Sequence, residues 1–218
     1  MQKAAMFSLK EAEFSRELPT KKNGAASKVV YFPNEKGELK GFRVVEKSIM
    51  SPELASKYPQ IKSFVGQGLS NPEDRIRFSV SHKGVQSMIV HGDSERTTFM
   101  QKTSADSDDY VVYSNEMNVA AKADFICNTA SILEKNGSGI TQKLVDDQQL
   151  RKYRLAISAT GEYTVYHGGT KADALSAINA TITRINEVME TDLGVTLELI
   201  ANNDLVIYTD AATDPYNG

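Results

Sequence analysis

The hydrophobic period of this chain changes once along its length, and that change limits what it can fold into. Up to about Glu116, apolar residues come in short runs broken by turn chemistry; beyond Tyr153 they recur at helical spacing. Lys28-Val29-Val30-Tyr31-Phe32 reads as a strand closed by Pro33-Asn34-Glu35-Lys36-Gly37, and residues 39–45 supply its hairpin partner. Residues 61–65, 75–80, 85–90, 97–100 and 110–113 continue the series. They are separated by Gly66-Gln67-Gly68, Asn71-Pro72, His82-Lys83-Gly84 and Gly92-Asp93. Such spacing predicts an antiparallel meander or sandwich. One short helix interrupts it at Ser51-Pro52-Glu53-Leu54, where serine caps, proline takes the first helical position and Glu53 favours the dipole. It ends near Tyr58-Pro59.

Between Asn118 and Gln149 the pattern loosens around Asn136-Gly137-Ser138-Gly139 and the polar run Asp146-Asp147-Gln148-Gln149, as expected of a protease-sensitive linker. Residues 153–157 and 163–166 then read as strand. Gly168-Gly169 breaks the chain, and Thr170-Lys171-Ala172-Asp173 resembles a capping box with Asp in the Glu position. Leu175, Ile178, Ile182, Ile185 and Met189 place one apolar stripe on a helix of about 30 Å. Gly194 ends that helix, and residues 195–200 and 205–208 read as strand. Strand, long helix, strand predicts a βαβ unit with a parallel sheet and a right-handed crossover. The expected class is α+β: a β-rich part over 1–140, a linker over 141–150, and an incomplete βαβ portion over 151–218. Asp214-Pro215-Tyr216-Asn217-Gly218 is turn chemistry that leads onward, which predicts the front portion of a larger protein. An uncovered sheet edge and helix face after residue 150 would favour a homodimer.

Composition excludes several classes. The 218 residues are 40% hydrophobic and 24% charged, enough for an ordinary core. A net charge of −3 gives no field to recruit nucleic acid or anionic lipid. No apolar run approaches the roughly 20 residues of a membrane span, and the N-terminus lacks the apolar core of a signal peptide. The single cysteine, Cys127, excludes an internal disulfide.

Motifs for chemistry are sparse. The three histidines, His82, His91 and His167, fall at turns or a strand end with no HExxH spacing, and read as solvated turn residues. No GxSxG, Walker A or GxGxxG occurs. Gly66-Gln67-Gly68 reads as a turn. Asp106, Asp108 and Asp109 lack the glycine and glutamate of a calcium loop and read as acidic surface. The tyrosines of 110–113, Tyr163 and Tyr166 read as core and sheet-face residues. No acid, base or nucleophile set converges, so the chain by itself is expected to be inactive.

Lys152-Tyr153-Arg154-Leu155-Ala156-Ile157, the helix over 171–192, Val195-Thr196-Leu197-Glu198-Leu199 and the following Asp204-Leu205-Val206-Ile207-Tyr208-Thr209-Asp210 resemble the opening of a reprolysin-like metzincin domain. Upstream, Gly41-Phe42-Arg43-Val44-Val45-Glu46, Met50-Ser51-Pro52-Glu53-Leu54, Val65-Gly66-Gln67-Gly68 and Ile76-Arg77-Phe78-Ser79-Val80 resemble the propeptide of secreted bacterial members. The resemblance implies a secreted zinc endopeptidase made as a latent precursor, acting on protein or peptide substrates. Its propeptide would assist folding and hold its own catalytic domain inactive. The implied HExxHxxGxxH zinc motif is not in this sequence, so no zinc is expected on this fragment itself. Venom relatives carry a calcium-binding acid on the first strand; residues 153–157 contain none.

The resemblance also implies a role for Cys127. In many metzincin precursors a propeptide cysteine binds the catalytic zinc as thiolate, and thiolate is a good zinc ligand. Phe125-Ile126-Cys127-Asn128 departs from the cysteine-glycine form of such switches, and a small buried hydrophobe is the alternative. A different function also fits the β-rich half and the missing catalytic set: a non-enzymatic binding or adhesion module of an exported bacterial protein.

Overall fold

In the computed structural model, which describes residues 4–20, 27–94, 96–105, 107–115 and 149–216, the short strands form one curled antiparallel sheet. Strands β2 (Lys28–Pro33), β3 (Leu39–Glu46), β4 (Lys62–Gly68), β5 (Arg75–Ser81), β6 (Gly84–Val90), β7 (Thr97–Lys102) and β8 (Asp109–Ser114) pair in sequence order. The eighth strand, β1 (Ala5–Ser8), pairs with β8, and α1 (Glu11–Glu17) leads away from it. The mixed class and the β-rich first half expected from the sequence are observed, as a meander of one sheet.

Alternation sends one side chain of each pair into the hollow of the sheet. Phe32, Phe42, Phe64, Ile76, Phe78, Val85, Ile89 and Val112 fill it, closed by Phe14 and Leu18. The rings contact one another directly: Phe64 stacks on Phe78 at 4.7 Å between centroids, and Phe14 meets Phe32 edge-on at 5.6 Å. Neither β1 nor α1 is expected from the sequence, because their short apolar content, Phe14 and Leu18 four apart, is too little for periodicity to register.

Beyond the sheet lie β9 (Arg151–Leu155), α3 (Gly161–Tyr166), α4 (Lys171–Leu193), β10 (Val195–Leu199) and a 3-10 turn over Asn203–Val206. Strands β9 and β10 are parallel, as the βαβ pattern requires. Thr170 and Asp173 form a reciprocal capping box, and Gly194 adopts φ 62° at the helix C-terminus, where a side chain would be strained. Helix α4 is a middle layer, with the large sheet on one flank and a second core on the other. Leu155, Ala159, Leu175, Ile178, Ile182, Leu199 and Ile207 build that core.

Three local expectations are corrected. Gly66-Gln67-Gly68 is no turn but the end of β4; a Cβ on Gly66 would lie 2.6 Å from Val44 Cγ1, so these glycines serve close strand packing. Residues 163–166 are helical despite their β-branched and aromatic content. The Thr160 hydroxyl accepts from Tyr163 N and the Asp214 carboxylate accepts from Gly161 N at 2.7 Å, and this capping outweighs propensity. Residues 205–208 form the 3-10 turn and a single parallel bridge between Ala159 and Ile207. The apolar stripe of α4 also stops short: Ile185 is exposed, while the polar Asn186 and Glu187 are buried.

Candidate functional site

The side of α4 that faces the large sheet is polar, and so is the sheet there. Alternation puts Ser63, Arg77, Ser79 and Gln86 on the outer face of β4, β5 and β6, opposite the phenylalanines. The helical period brings Asp173, Asn179, Thr183, Glu187 and Glu190 over them. The buried Arg77 donates through Nε to Glu187 at 2.6 Å and through Nη2 to Glu190 at 2.5 Å. Arg75 reaches the other oxygen of Glu187 at 2.5 Å, and Lys47 reaches Glu190 at 2.8 Å. Three cations therefore close on two carboxylates, and Arg77 bridges both. Further along, Ser63 donates to Asn179 Oδ1 at 3.1 Å, Thr183 donates to Ser63 at 3.2 Å, and Arg184 donates to Gln86 at 3.0 Å. At the start of the helix, His82 and Lys83 both meet Asp173, at 2.8 and 3.0 Å.

This array titrates. Burial raises the pKa of Asp173, but bonds from Thr170, His82 and Lys83 outweigh it and hold the carboxyl far below the usual range. Burial likewise raises Glu190, and Lys47, Thr196 and Arg77 reverse it. Both folded-state pKa values are depressed, so the stabilisation is full above the ordinary carboxylate values of 3.8 and 4.5 and is lost as pH falls through the folded ones. The contribution of these two carboxylates to the urea midpoint is expected to be level from about pH 7 to about pH 5 and to fall below about pH 4. Asp173→Asn should flatten that decline; an unchanged slope would count against the assignment.

The second grip is apolar. Residues 49–61, between β3 and β4, leave the large sheet and insert Ile49, Met50, Leu54 and Ile61 into the second core. Ser51 caps α2 (Pro52–Lys57), as its sequence signature predicts. Burying each such side chain contributes about 1.5–3 kcal/mol. Backbone bonds accompany them: Ser51 N donates to Leu199 O at 2.9 Å and Leu199 N donates to Ile49 O at 2.7 Å, so this segment adds a rung beyond β10.

Two buried asparagine amides imitate strands in the same region. Asn186 accepts from Leu197 N and donates to Leu197 O, both at 2.9 Å. Asn203 treats Ile157 the same way, at 2.8 and 3.2 Å. Each satisfies a backbone donor and acceptor at once. Asn203→Ala should therefore cost about 1–3 kcal/mol in urea unfolding; a midpoint equal to wild type would show that water replaces the amide.

Cys127 lies outside the described residues, as do Asp106 and most of the expected linker. The histidines do not gather. His82 is half exposed against Asp173, and His167 packs at 4.4 Å on Tyr163. His91, expected in solvent, is 2% exposed; its Nε2 lies 2.9 Å from the Thr98 hydroxyl. Burial, Arg96 and Lys40 push His91 below the ordinary histidine pKa. Potential ligand atoms of Asp74, His91 and Asp93 come within 4.8 Å of one another. The set does not fit a metal, because the Lys40 ammonium stands 3.1 Å from Asp74 and 3.4 Å from His91 Nδ1, where the cation would sit. Gly92 N and Asn71 Nδ2 already occupy the other Asp74 oxygen. Among the described residues this is a charge network that ties β3, β5 and β6 together at one end of the sheet.

Residues 150–218 match the family model described as metallo-peptidase family M12B, reprolysin-like. No curated protein matches the chain. The matched span takes in β9, α3, α4, β10 and the 3-10 turn, the part of the chain that the large sheet and residues 49–61 hold. It supports a metallopeptidase-family segment over the range where the sequence resemblance lies. Zinc serves this family generally, but neither the Asp74 cluster nor the dispersed histidines fit a catalytic zinc. Among the described residues, no helix is long and apolar enough to cross a membrane.

Proposed function

We propose that this chain is the front portion of an exported zinc-dependent endopeptidase precursor, in which the β-rich N-terminal part is a propeptide that assists folding and maintains latency. One observation carries this reading: residues 49–61 of the N-terminal part complete the core of the reprolysin-like segment and bond to its strand β10. A segment whose core is finished by an upstream piece folds best in that piece's presence, which is the work of a folding assistant. The polar joint along α4 fixes the same two parts in one orientation.

The test uses the longer precursor that carries the zinc motif. Its peptidase activity on a denatured protein substrate should be low while the chain is intact and should rise after cleavage between residues 116 and 148. Full activity before cleavage would refute latency. Cys127 is the proposed residue that reaches the metal from the propeptide. Cys127→Ala should then release activity without cleavage, and latency equal to the unmutated precursor would remove Cys127 from the mechanism. Proteins and peptides are the proposed substrates, and the N-terminal sheet's first partner is its own catalytic domain.

A further inference from the structure

We infer that the contact between the large sheet and α4 is a reversible, charge-tuned joint: after the connection between β8 and β9 is cut, the two parts stay bound, and neutralising Glu187 and Glu190 loosens their hold. This rests on the propeptide reading and adds how the propeptide would be held and let go.

The hollow of the sheet is phenylalanine-rich and could not face water. Its outer face is different: Ser63, Arg77, Ser79 and Gln86 would be solvated readily if α4 left. The same holds for Asn179, Thr183, Glu187 and Glu190 on the helix. Over this contact both surfaces tolerate water, as in parts that can separate, and the apolar core that residues 49–61 share is set apart from it.

Charge supplies the tuning. Arg77 is 7% exposed at its side chain and Glu187 6%, so closing the joint strips both of water. Their mutual bonds, with Arg75 and Lys47 beside them, offset that loss only while all partners are charged. Opening the joint returns every one of these groups to solvent. Two further groups gain on opening, for Asn179 Nδ2 and Arg184 Nε are buried without a hydrogen-bond partner among the described residues. The apolar contacts of residues 49–61, with Met88 of β6 buried on the same face as Arg77, keep the cut parts together, and the ionic node sets how tightly.

The experiment inserts a recognition sequence for a specific protease between Gly137 and Ser138 of the full chain. The folded protein is cut and the affinity between the two pieces is measured by sedimentation near neutral pH in about 0.1 M NaCl, below the concentration that screens short-range pairs. The pieces should sediment together, and Glu187→Gln with Glu190→Gln should weaken their affinity at least about thirtyfold. Asp192→Asn, on the exposed end of α4, should leave it unchanged. Should the double variant fail to fold before cutting, the wild-type pair titrated to about 1 M NaCl gives the same readout and should weaken. Pieces that separate at once on cutting overturn the proposal. So does an affinity indifferent both to the two glutamates and to salt. Peptidase activity is not read, so the latency assay can succeed or fail independently.

Discussion

Arg77→Ala is expected to destabilise the uncut chain by about 3–5 kcal/mol, the usual cost of removing one partner from a buried ion pair. The size follows from what is left behind. Glu187 is 5% exposed and would retain Arg75 alone; Glu190 would retain Lys47. Each carboxylate loses the guanidinium that satisfies it from within the joint while staying short of water. Ile76 and Phe78 of β5 point to the opposite face, so the hydrophobic core of the sheet is untouched by the change. Urea unfolding at neutral pH measures it. Arg77→Met, which keeps the packing of the stem, should lose nearly as much. A loss below about 1 kcal/mol would mean that the node behaves as a surface pair.

Leu54→Ala should cost about 2–5 kcal/mol through the cavity it opens. Leu54 is fully buried, and it belongs to the N-terminal part while filling, with Ile49, Met50 and Ile61, a core shared with residues 155–207. The loss should therefore appear as unfolding of the C-terminal part, with faster hydrogen exchange along α4 and β10 than along β5 and β6. Uniform exchange across both parts at an unchanged midpoint would show that this core closes without α2. Together the two variants separate the contacts that hold the parts together: one removes charge, the other removes apolar volume.

Most of the large sheet was legible in the sequence because alternation and turn chemistry are local. Pro33 to Gly37 closes one hairpin and His82-Lys83-Gly84 another, and each acts on the residues beside it. Helix α4 was equally legible from Thr170, Asp173 and Gly194, which act within one turn. Its function was not. Asp173, Asn179, Thr183 and Glu187 look like a solvated face by pattern, and their partners lie 91 to 120 residues away along the chain. Only the fold shows that Arg77, on a strand that alternates in the ordinary way, faces a carboxylate pair. Residues 163–166 misled for a related reason, since the cap that makes them helical comes from Asp214, 53 residues from Gly161.

The paired asparagines give the small sheet a direction. Along 151–159 the odd-numbered backbone groups are all taken on one side, by β10, by the Asn203 amide and by residues 206–208. On the far side of β10, Leu197 is sealed by Asn186 and Leu199 by the Ile49–Ser51 rung. Backbone groups at Lys152, Arg154 and Ala156 alternate to the opposite margin. Among the described residues the sheet thus has one finished border and one open, and a strand added to it during assembly would enter beside β9.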